Sequence, residues 1–558
     1  MLLPPLIAQN TTPAVNAGVD VTMPGGATTG GYRNLVTGQA LIDAVSSGAV
    51  AESRVNDAVT RLLTQYYLRK QDDGTYPHVS YKDGYQESYL NGTLVNEHID
   101  VQADHKDVSR VIAEDAVTLI FNRGEKNGTG QLGLPRAGRG TGLPLRKDAR
   151  VGVFGSDAGT SPYGINGCRG WIGPGSNLCA GNHTSNGTNA MGWGSGAGYF
   201  PYLVDPLTVI SKVARENGGS IESNLLDTEL EGGAGTNGAL VRTLAAITDV
   251  ALVFVQARSG EDSDRTSLEL EANGTQLIQA VASVSNNTIV IVHTVGPVFI
   301  DEVFNHPNIT ALVFPHLPGQ ESGTSLGSVL YGDVNPSGKM PYSLLARNDS
   351  QYYPDIMRTM QPDGTIPVPF SEGLFVDYKK FDREGVKPLI HFGHGVSYTT
   401  FEHGKQLVAQ AVSDSSSYPT EVPVDEESGT QTNSSNSNAP GGANALWEYV
   451  VQLQTTLKNT GDIAGKEVSQ LYVQLPDSAP SGTPRKQLVS FDKVALQPGE
   501  EKQVEFKVTR RDLSYWDVTR QQFVVPDGTF VFYEGASSAD DELKVSVKVG
   551  IKNGSVQS

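Results

Sequence analysis

Among the side chains that could do chemistry, one carboxylate stands out by its position. Glu261 lies in the sequence S-G-E-D, directly after the apolar run A-L-V-F-V-Q-A, which predicts a buried parallel strand. In open α/β sheets, ligands bind at the carboxyl edge of the strands. A Glu at this edge becomes a general acid if burial raises its pKa towards working pH. Its neighbours Asp262, Asp264 and Arg265 could equally make it one member of a surface network, so the residues alone leave both interpretations open.

Other kinds of catalytic site are not indicated. The closest pair of His residues, His391 and His394 in H-F-G-H-G, is interrupted by glycine, which predicts a turn with a structural role rather than a face of metal ligands. V-F-G-S-D-A-G has too few glycines for a dinucleotide fingerprint, and no P-loop occurs. Ser195 and Ser259 lack the G-x-S-x-G spacing of a serine nucleophile. The sequence therefore predicts no metal site and no cofactor.

Charge and length restrict the class of protein. The 558 residues include 42 Lys and Arg against 61 Asp and Glu, a formal net charge of −19. This balance argues against nucleic-acid binding, which needs a basic face, and against electrostatic binding to anionic lipid. No run approaches the roughly 20 apolar residues of a membrane span. At about 150 residues per domain, the length allows three or four domains.

Two cysteines and a set of glycosylation sequons favour an oxidising compartment. Cys168 and Cys179 lie in one Gly/Asn-rich loop, and either two free thiols or a small surface disulfide fits that spacing. Eleven N-x-S/T sequons favour the disulfide and secretion; they are at Asn10, Asn91, Asn127, Asn182, Asn186, Asn273, Asn286, Asn308, Asn348, Asn433 and Asn553. The first residues, M-L-L-P-P-L-I-A-Q-N, do not form a signal peptide. Either the protein is not exported or the chain lacks its true beginning.

The distribution of apolar residues predicts three regions. Amphipathic helices are expected between 38 and 66, with Val55, Val59, Leu62, Leu63 and Tyr66 on one stripe, and again near 107–119. From 150 onwards, strands alternate with helices, which predicts a mostly parallel sheet covered on both faces. The strands are predicted at 150–154, 250–255, 288–293 and 310–314, and the helices at 239–247, 276–284, 298–304 and 322–330.

The end of the chain has a different pattern. A Ser/Thr/Glu/Asn-rich segment at 412–445 is of low complexity, which predicts a linker. Beyond it, apolar and polar residues alternate in short runs separated by N-T-G-D, Q-P-G-E and P-D-G-T. This pattern predicts a β-sandwich of the immunoglobulin or fibronectin type III kind.

Several motifs in order along the chain resemble one enzyme family. They are D-V-A-L-V-F-V-Q-A-R-S-G-E-D, D-R-T-S-L, H-T-V-G-P-V, L-P-G-Q-E-S-G-T-S-L-G-S-V-L-Y-G-D-V-N-P-S-G-K-M-P-Y-S, F-S-E-G-L-F-V-D-Y-K-K-F-D, F-G-H-G-V-S-Y-T-T-F and N-T-G-D-I-A-G-K-E-V-S-Q-L-Y-V. Together they resemble fungal β-glucosidases of glycoside hydrolase family 3, and the match runs along nearly the whole chain.

The resemblance implies an architecture and a mechanism. It implies a (β/α)8-type barrel, an α/β sandwich and a fibronectin type III-like domain, with boundaries here at 1–105 for the end of the barrel and a linker, 106–401, 412–445 for the low-complexity linker, and 446–558. The implied chemistry is retaining hydrolysis of β-D-glucosyl residues in cello-oligosaccharides, in which an Asp on the barrel attacks the anomeric carbon. The family's acid/base Glu lies in an S-G-E motif, which corresponds to Glu261.

The chain departs from the family pattern at two places. The loop after S-G-E is shorter than usual, at S-G-E-D-S-D-R-T-S-L. The nucleophile motif S-D-W is absent: its expected place falls near Pro5, and Asp20 corresponds to a later loop of the family. A barrel takes about 250 residues, whereas only about 100 precede the α/β sandwich domain. We therefore expect a truncated, secreted β-glucosidase without activity as written.

Two other functions fit the same residues. One is a non-catalytic glycan-binding protein that keeps the α/β sandwich domain and the fibronectin-like domain. The other is a β-xylosidase of the same family, because specificity residues lie largely on the barrel. The expected ligand is a β-glucoside or cello-oligosaccharide, with neither nucleic acid nor membrane as a partner, and the sequence does not indicate an oligomeric state.

Overall fold

A computed structural model gives the fold of the chain. It describes residues 2–3, 11–22, 38–75, 89–90, 93–94, 102–124, 141–166, 187–192, 200–260, 265–353, 370–412, 444–520, 522–552 and 555–556. The chain divides into two compact units, residues 1–101 and 102–558. Among the described residues, no helix has the length and apolar character needed to span a membrane.

The first unit contains short strands and three helices. Its elements are β1 (Leu2–Leu3), α1 (Thr11–Asn16), β2 (Val21–Thr22), α2 (Gln39–Ser46), α3 (Glu52–Leu68), β3 (Tyr89–Leu90) and β4 (Thr93–Leu94). In α3, the predicted apolar stripe is largely exposed, as Leu62 and Leu63 show. Asp20 is held by ion pairs from Arg54 at 2.7 Å and Arg61 at 2.8 Å, which hold the pKa of its carboxyl well below its usual range. Asp20 is therefore a structural anchor for α3.

The second unit begins with a six-stranded sheet. The strands in chain order are β5 (Thr118–Asn122), β6 (Arg150–Phe154), β7 (Ser220–Asn224), β8 (Val250–Ala257), β9 (Thr288–Thr294) and β10 (Ile309–Phe314). Their spatial order is β5-β10-β9-β8-β6-β7, and only β5 is antiparallel to its neighbour. The four predicted strands are present. The predicted helix near 107–119 ends earlier, because the apolar residues from Val117 onwards enter the sheet as β5 instead of continuing the helix.

Helices cover both faces of this sheet. They are α4 (His105–Ala116), α5 (Pro206–Asn217), α6 (Asn237–Ile247), α7 (Gly274–Ala282), α8 (Asp301–Phe304) and α9 (Ser322–Leu330). Alternate residues of β8 enter two separate cores: Val253 packs with α6 and α7, whereas Leu252 packs with α5 and α9. Strands buried on both sides must be continuously apolar, which is why the parallel strands were recognisable in the sequence. The predicted helix at 298–304 is reduced to the single turn of α8.

A β-sandwich forms the rest of the second unit, after α10 (Tyr378–Glu384). In one sheet, β11 (Phe401–His403) and β12 (Val408–Ala411) pair with one edge of β13 (Tyr449–Asn459), and β16 (Glu501–Thr509) pairs with the other. The second sheet and a hairpin consist of β14 (Gly465–Gln474), β15 (Gln487–Leu496), β19 (Gly528–Gly535), β20 (Leu543–Lys552), β21 (Ser555–Val556), β17 (Tyr515–Asp517) and β18 (Gln522–Val524).

The pairing of β11 and β12 changes the place of the low-complexity segment. Both strands precede that segment in sequence, yet both pair with β13, which follows it. The segment predicted at 412–445 therefore connects two strands of one sandwich instead of two domains, and the sandwich begins at Phe401 instead of 446. The sequence did not reveal this because β11 and β12 are only three and four residues long.

Candidate active site

The strand order has a switch point at the carboxyl edge of the parallel sheet. In the sheet, β6 lies between β7 and β8, so the connections that follow β6 and β8 run in opposite directions. Ligands of open α/β sheets bind at such a switch point. Ser156 and Asp157, directly after β6, and Gln256, near the end of β8, lie close to Asp227 and Glu271 at this edge.

The predicted acid/base lies beside this edge in sequence but outside the described residues. Strand β8 ends at Ala257, the structure describes the chain as far as Gly260, and it resumes at Arg265. The roles that the sequence suggests for Glu261, Asp262 and Asp264 therefore stay predictions. What the structure provides is the arrangement of the residues that precede and follow them.

The chain is held firmly as it leaves β8. The main-chain N–H of Arg258 donates to Glu271 Oε1 at 2.9 Å, and its Nε donates to Oε2 of the same carboxylate at 3.3 Å. The N–H of Glu271 in turn donates to the carbonyl of Gln256 at 2.9 Å. The Glu271 carboxylate thus fixes both the backbone and the side chain of Arg258, three residues before Glu261.

Arg265 holds the chain after the loop. Its Nη1 donates to the carbonyl of Pro297 at 2.8 Å, in the turn that follows β9. Burial lowers the pKa of the Arg265 guanidinium, although Tyr342 and Glu271 partly counter this effect. An arginine keeps its charge even so, so a largely buried cation stands four residues after Glu261.

A buried polar network lies beneath the same edge. Asp157 Oδ2 is 2.6 Å from His293 Nδ1, and both side chains are almost fully buried. Because a carboxylate only accepts, the imidazole donates from Nδ1, which leaves Nε2 as the acceptor in the neutral ring. Within the part of the chain that the structure describes, Nε2 has no hydrogen-bond partner.

Asn189 connects this pair to the strand ends. Its main-chain N–H donates to Asp157 Oδ1 at 2.8 Å, and its Nδ2 donates to the carbonyls of Ala257 at 3.2 Å and His293 at 3.4 Å. The network therefore joins the ends of β6, β8 and β9. Sequence reasoning missed it, because a single His inside an apolar strand carries no signal of its distant partner.

A half-buried carboxylate, Asp227, lies at the same edge. Asp227 accepts hydrogen bonds from the main-chain N–H of Ser156 at 3.0 Å and from the Ser156 hydroxyl. Burial raises the pKa of Asp227, and the hydrogen bonds from Ser156 partly offset that increase. Carboxylates and hydroxyls of this kind can bond to hydroxyl groups of a ligand. Among the described residues, no group of His, Cys, Asp and Glu could hold a metal ion.

Comparison with known proteins identifies the family. The family model for the glycosyl hydrolase family 3 C-terminal domain matches residues 139–378, and that for the fibronectin type III-like domain matches 467–538. A solved family 3 β-glucosidase from Neurospora crassa is 30% identical with a TM-score of 0.78, and the match covers 97% of this chain and 68% of that one. The chain belongs to glycoside hydrolase family 3.

Other members of family 3 are similar at the same level. "Probable beta-glucosidase L" of Aspergillus fumigatus is 39% identical over 541 residues, which is 96% of this chain and 64% of that protein. The solved β-glucosidase of Chaetomella raphigera is 36% identical with a TM-score of 0.75, covering 98% of this chain and 67% of that one. The chain thus spans slightly less than two thirds of the length of the curated relatives it matches. The resemblance to family 3 β-glucosidases seen in the sequence is confirmed, as are the predicted α/β domain with a mostly parallel sheet and the fibronectin type III-like domain.

The remaining site residues are divided between described and undescribed parts of the chain. Cys168 and Cys179 lie outside the described residues, as do the sequons at Asn10, Asn91, Asn127, Asn182, Asn186, Asn433 and Asn553. Asn273 and Asn348 have exposed side chains, whereas Asn286 and Asn308 are half-buried. The Nδ2 of Asn308 also donates to the carbonyl of Ala282 at 2.8 Å. The Nδ2 of Asn273 likewise donates to the carbonyl of Asp227 at 2.7 Å. Glycosylation therefore stays a prediction, with Asn348 the best placed of the described sequons.

Proposed function

We propose that this chain is part of a β-glucosidase that hydrolyses terminal β-D-glucosyl residues with retention of configuration. The similarity to β-glucosidases over nearly the whole chain supports the reaction and the substrate class. Cello-oligosaccharides and aryl β-glucosides are the substrates we propose. The same similarity, with the cysteine pair and the sequons, supports a secreted, glycosylated enzyme.

Glu261 is the proposed general acid/base. It follows β8 at the carboxyl edge of the parallel sheet, between the anchored residues Arg258 and Arg265. A retaining glycosidase needs this acid about 5–5.5 Å from a carboxylate nucleophile. Residues 1–558 contain no S-D-W motif, where the family resemblance places that nucleophile. We therefore propose that this polypeptide alone does not turn over glycosides.

The test is hydrolysis of p-nitrophenyl β-glucoside by two proteins. One is the 558-residue chain, and the other is the same chain fused to the upstream segment of a family 3 relative that carries S-D-W. We expect turnover only from the fusion, with the β-anomer of glucose formed first in ¹H NMR. Turnover by the 558-residue chain that is abolished in Glu261→Gln would contradict the proposed lack of activity. A fusion that is folded but inactive on glucosides would contradict the proposed reaction.

A fusion that prefers p-nitrophenyl β-xyloside would favour the β-xylosidase alternative. That result would leave the family assignment and the proposed role of Glu261 unchanged, but it would contradict the proposed substrate.

A further inference from the structure

One face of the β-sandwich points away from the α/β domain. The contacts between the two domains include those of β14 and β15, in which Lys466 and Lys493 both bond to Asp115 of α4, and that of Glu542, before β20, with His394. The outward side chains of the other sheet, formed by β11, β12, β13 and β16, are exposed or half-buried, as Glu402 and Gln503 show. This second sheet therefore presents a surface that the described parts of the chain leave open.

The open face is polar and regular. Strand register places Val408 beside Gln454 and Gln454 beside Glu505, and the next row pairs Thr456 with Gln503. Gln503 Nε2 donates to Gln454 Oε1 at 2.8 Å, and Gln454 Nε2 approaches Glu505 Oε2 at 3.4 Å. Amide groups are thus aligned across two strands, each with hydrogen-bonding capacity to spare.

A groove crosses this face where the edge strand is interrupted. β11 ends at His403 and β12 begins at Val408, and the gap between them opens a groove of about 520 Å³. That volume lies within the range of ligand-binding clefts, about 300–1,000 Å³. The polar side chains that line it include Glu402, Lys405, Gln454, Thr456, Lys458 and Gln503.

The charges of the groove balance. Glu402 and Glu501 are matched by Lys405 and Lys458 on its lining, so it favours neither an anion nor a cation. A nucleic acid would need excess positive charge, and a protein partner would need an apolar centre. Amides that both donate and accept suit a ligand whose hydroxyls do the same.

An aromatic ring extends the face beyond the groove. Tyr449 pairs with Thr509 on the outward side of the sheet and is 50% exposed. Its partner Thr509 lies four residues after Glu505, the partner of Gln454, so the ring is about 13 Å along the strand at the usual rise of about 3.3–3.4 Å per residue. An aromatic side chain with one apolar face and one polar end suits a wet interface. The polar groove and the exposed Tyr449 ring together fit an elongated ligand with polar edges and apolar faces.

We propose that this face of the β-sandwich binds a neutral glycan chain, separately from the hydrolytic site. The chain lies along β13, with its hydroxyls bonded to Gln454 and Gln503 and one sugar ring packed on Tyr449. This binding needs neither Glu261 nor the absent nucleophile, so it does not depend on the proposed reaction. Its consequence is that the enzyme is held on polymeric substrate while the proposed hydrolytic site acts on chain ends.

Affinity electrophoresis of the full 558-residue chain in gels containing barley β-glucan tests the proposal. We expect retardation of the chain, and a loss of at least tenfold in apparent affinity for the double variant Gln454→Ala/Gln503→Ala. The matched control is Gln279→Ala, which removes an exposed glutamine from α7 of the α/β domain, outside the groove. Circular dichroism and the thermal midpoint must show that each variant is folded.

Three results would overturn the proposal. The first is no retardation of the parent chain. The second is equal retardation of the double variant and its control. The third is stronger retardation by the anionic carboxymethylcellulose than by neutral β-glucan. Glu261→Gln must leave the retardation unchanged, since loss of binding in that variant would place the glycan at the hydrolytic site instead.

Discussion

At the scale of single residues, His394 shows how a motif residue joins the two domains of the second unit. Its Nε2 donates to the carbonyl of Ile120 in β5 at 2.9 Å, and its Nδ1 lies 3.2 Å from Glu542 Oε1, in the turn before β20. The glycines of H-F-G-H-G allow the tight turn that this bridge requires, and Gly393 has a φ of 82°. The structural role predicted for His394 from sequence agrees with these contacts.

The same bridge predicts an acid-sensitive contribution to stability. Burial raises the pKa of Glu542, but hydrogen bonds from His394 and Ser537 outweigh burial and lower it to about 2. An unfolded Glu titrates near pH 4.3. Because Nε2 of His394 donates to a carbonyl, Nδ1 donates to Glu542 only in the imidazolium form. Since the folded pKa of Glu542 is the lower one, its contribution is lost as the pH falls from about 4.3 towards 2.

We therefore expect Glu542→Gln to reduce the stability of the protein at pH 6 more than at pH 3, measured by urea unfolding. The control is Asp541→Asn, an exposed neighbour. Equal losses for Glu542→Gln at both pH values would contradict the assignment.

At the scale of elements, the site depends on how three strand ends are held together. Asn189 is buried and bonds to Asp157 and to the carbonyls of Ala257 and His293, so one side chain connects β6, β8 and β9. Val295 N–H also donates to the carbonyl of Ala257. The end of β8, from which the chain continues towards Glu261, is thereby fixed on both sides.

Replacing Asn189 with Ala should loosen this edge. The change removes the two hydrogen bonds that Asn189 Nδ2 donates to the carbonyls of Ala257 and His293, and a hydrogen bond contributes about 0.5–1.5 kcal/mol net. We expect that loss in urea unfolding, and faster hydrogen exchange at the amides of Arg258 and Val295 than in the parent protein. Asn217→Ala is the control, because that side chain bonds only to its own helix at an exposed position. Unchanged exchange at both amides would show that Asn189 does not hold the strand ends.

The elements differ in how far the sequence predicted them. Strands β8, β9 and β10 are continuous apolar runs, and buried parallel strands require that pattern. β7, with the sequence S-I-E-S-N, lies at the edge of the sheet and is mostly solvated, so it carries no such signal. The position of Glu261 after a strand followed from local pattern. The partners Asp157, Asn189 and His293 lie far apart in sequence, and only tertiary structure brings them together.

At the scale of the whole molecule, the α/β domain and the sandwich form one compact unit. Asp115 at the end of α4 accepts hydrogen bonds from Lys466 and Lys493, and Lys339 pairs with Glu467 of β14 at 2.7 Å. Charged side chains that cross the interface fix the orientation of the domains more than they add stability. The β-sandwich is therefore packed against the domain that carries the proposed acid/base, with its polar sheet turned outwards.

Glu261 is the proposed acid/base of a retaining β-glucosidase. The decisive experiment is Glu261→Ala in the fusion that supplies the nucleophile. The variant is assayed with 2,4-dinitrophenyl β-glucoside in the presence and absence of azide, with Asp262→Asn as the control. General acid/base catalysis contributes about 10²–10⁴-fold. We predict a loss of that size in Glu261→Ala, restored by azide with formation of β-glucosyl azide. Full activity in Glu261→Ala, or an equal loss in Asp262→Asn, would contradict the claim.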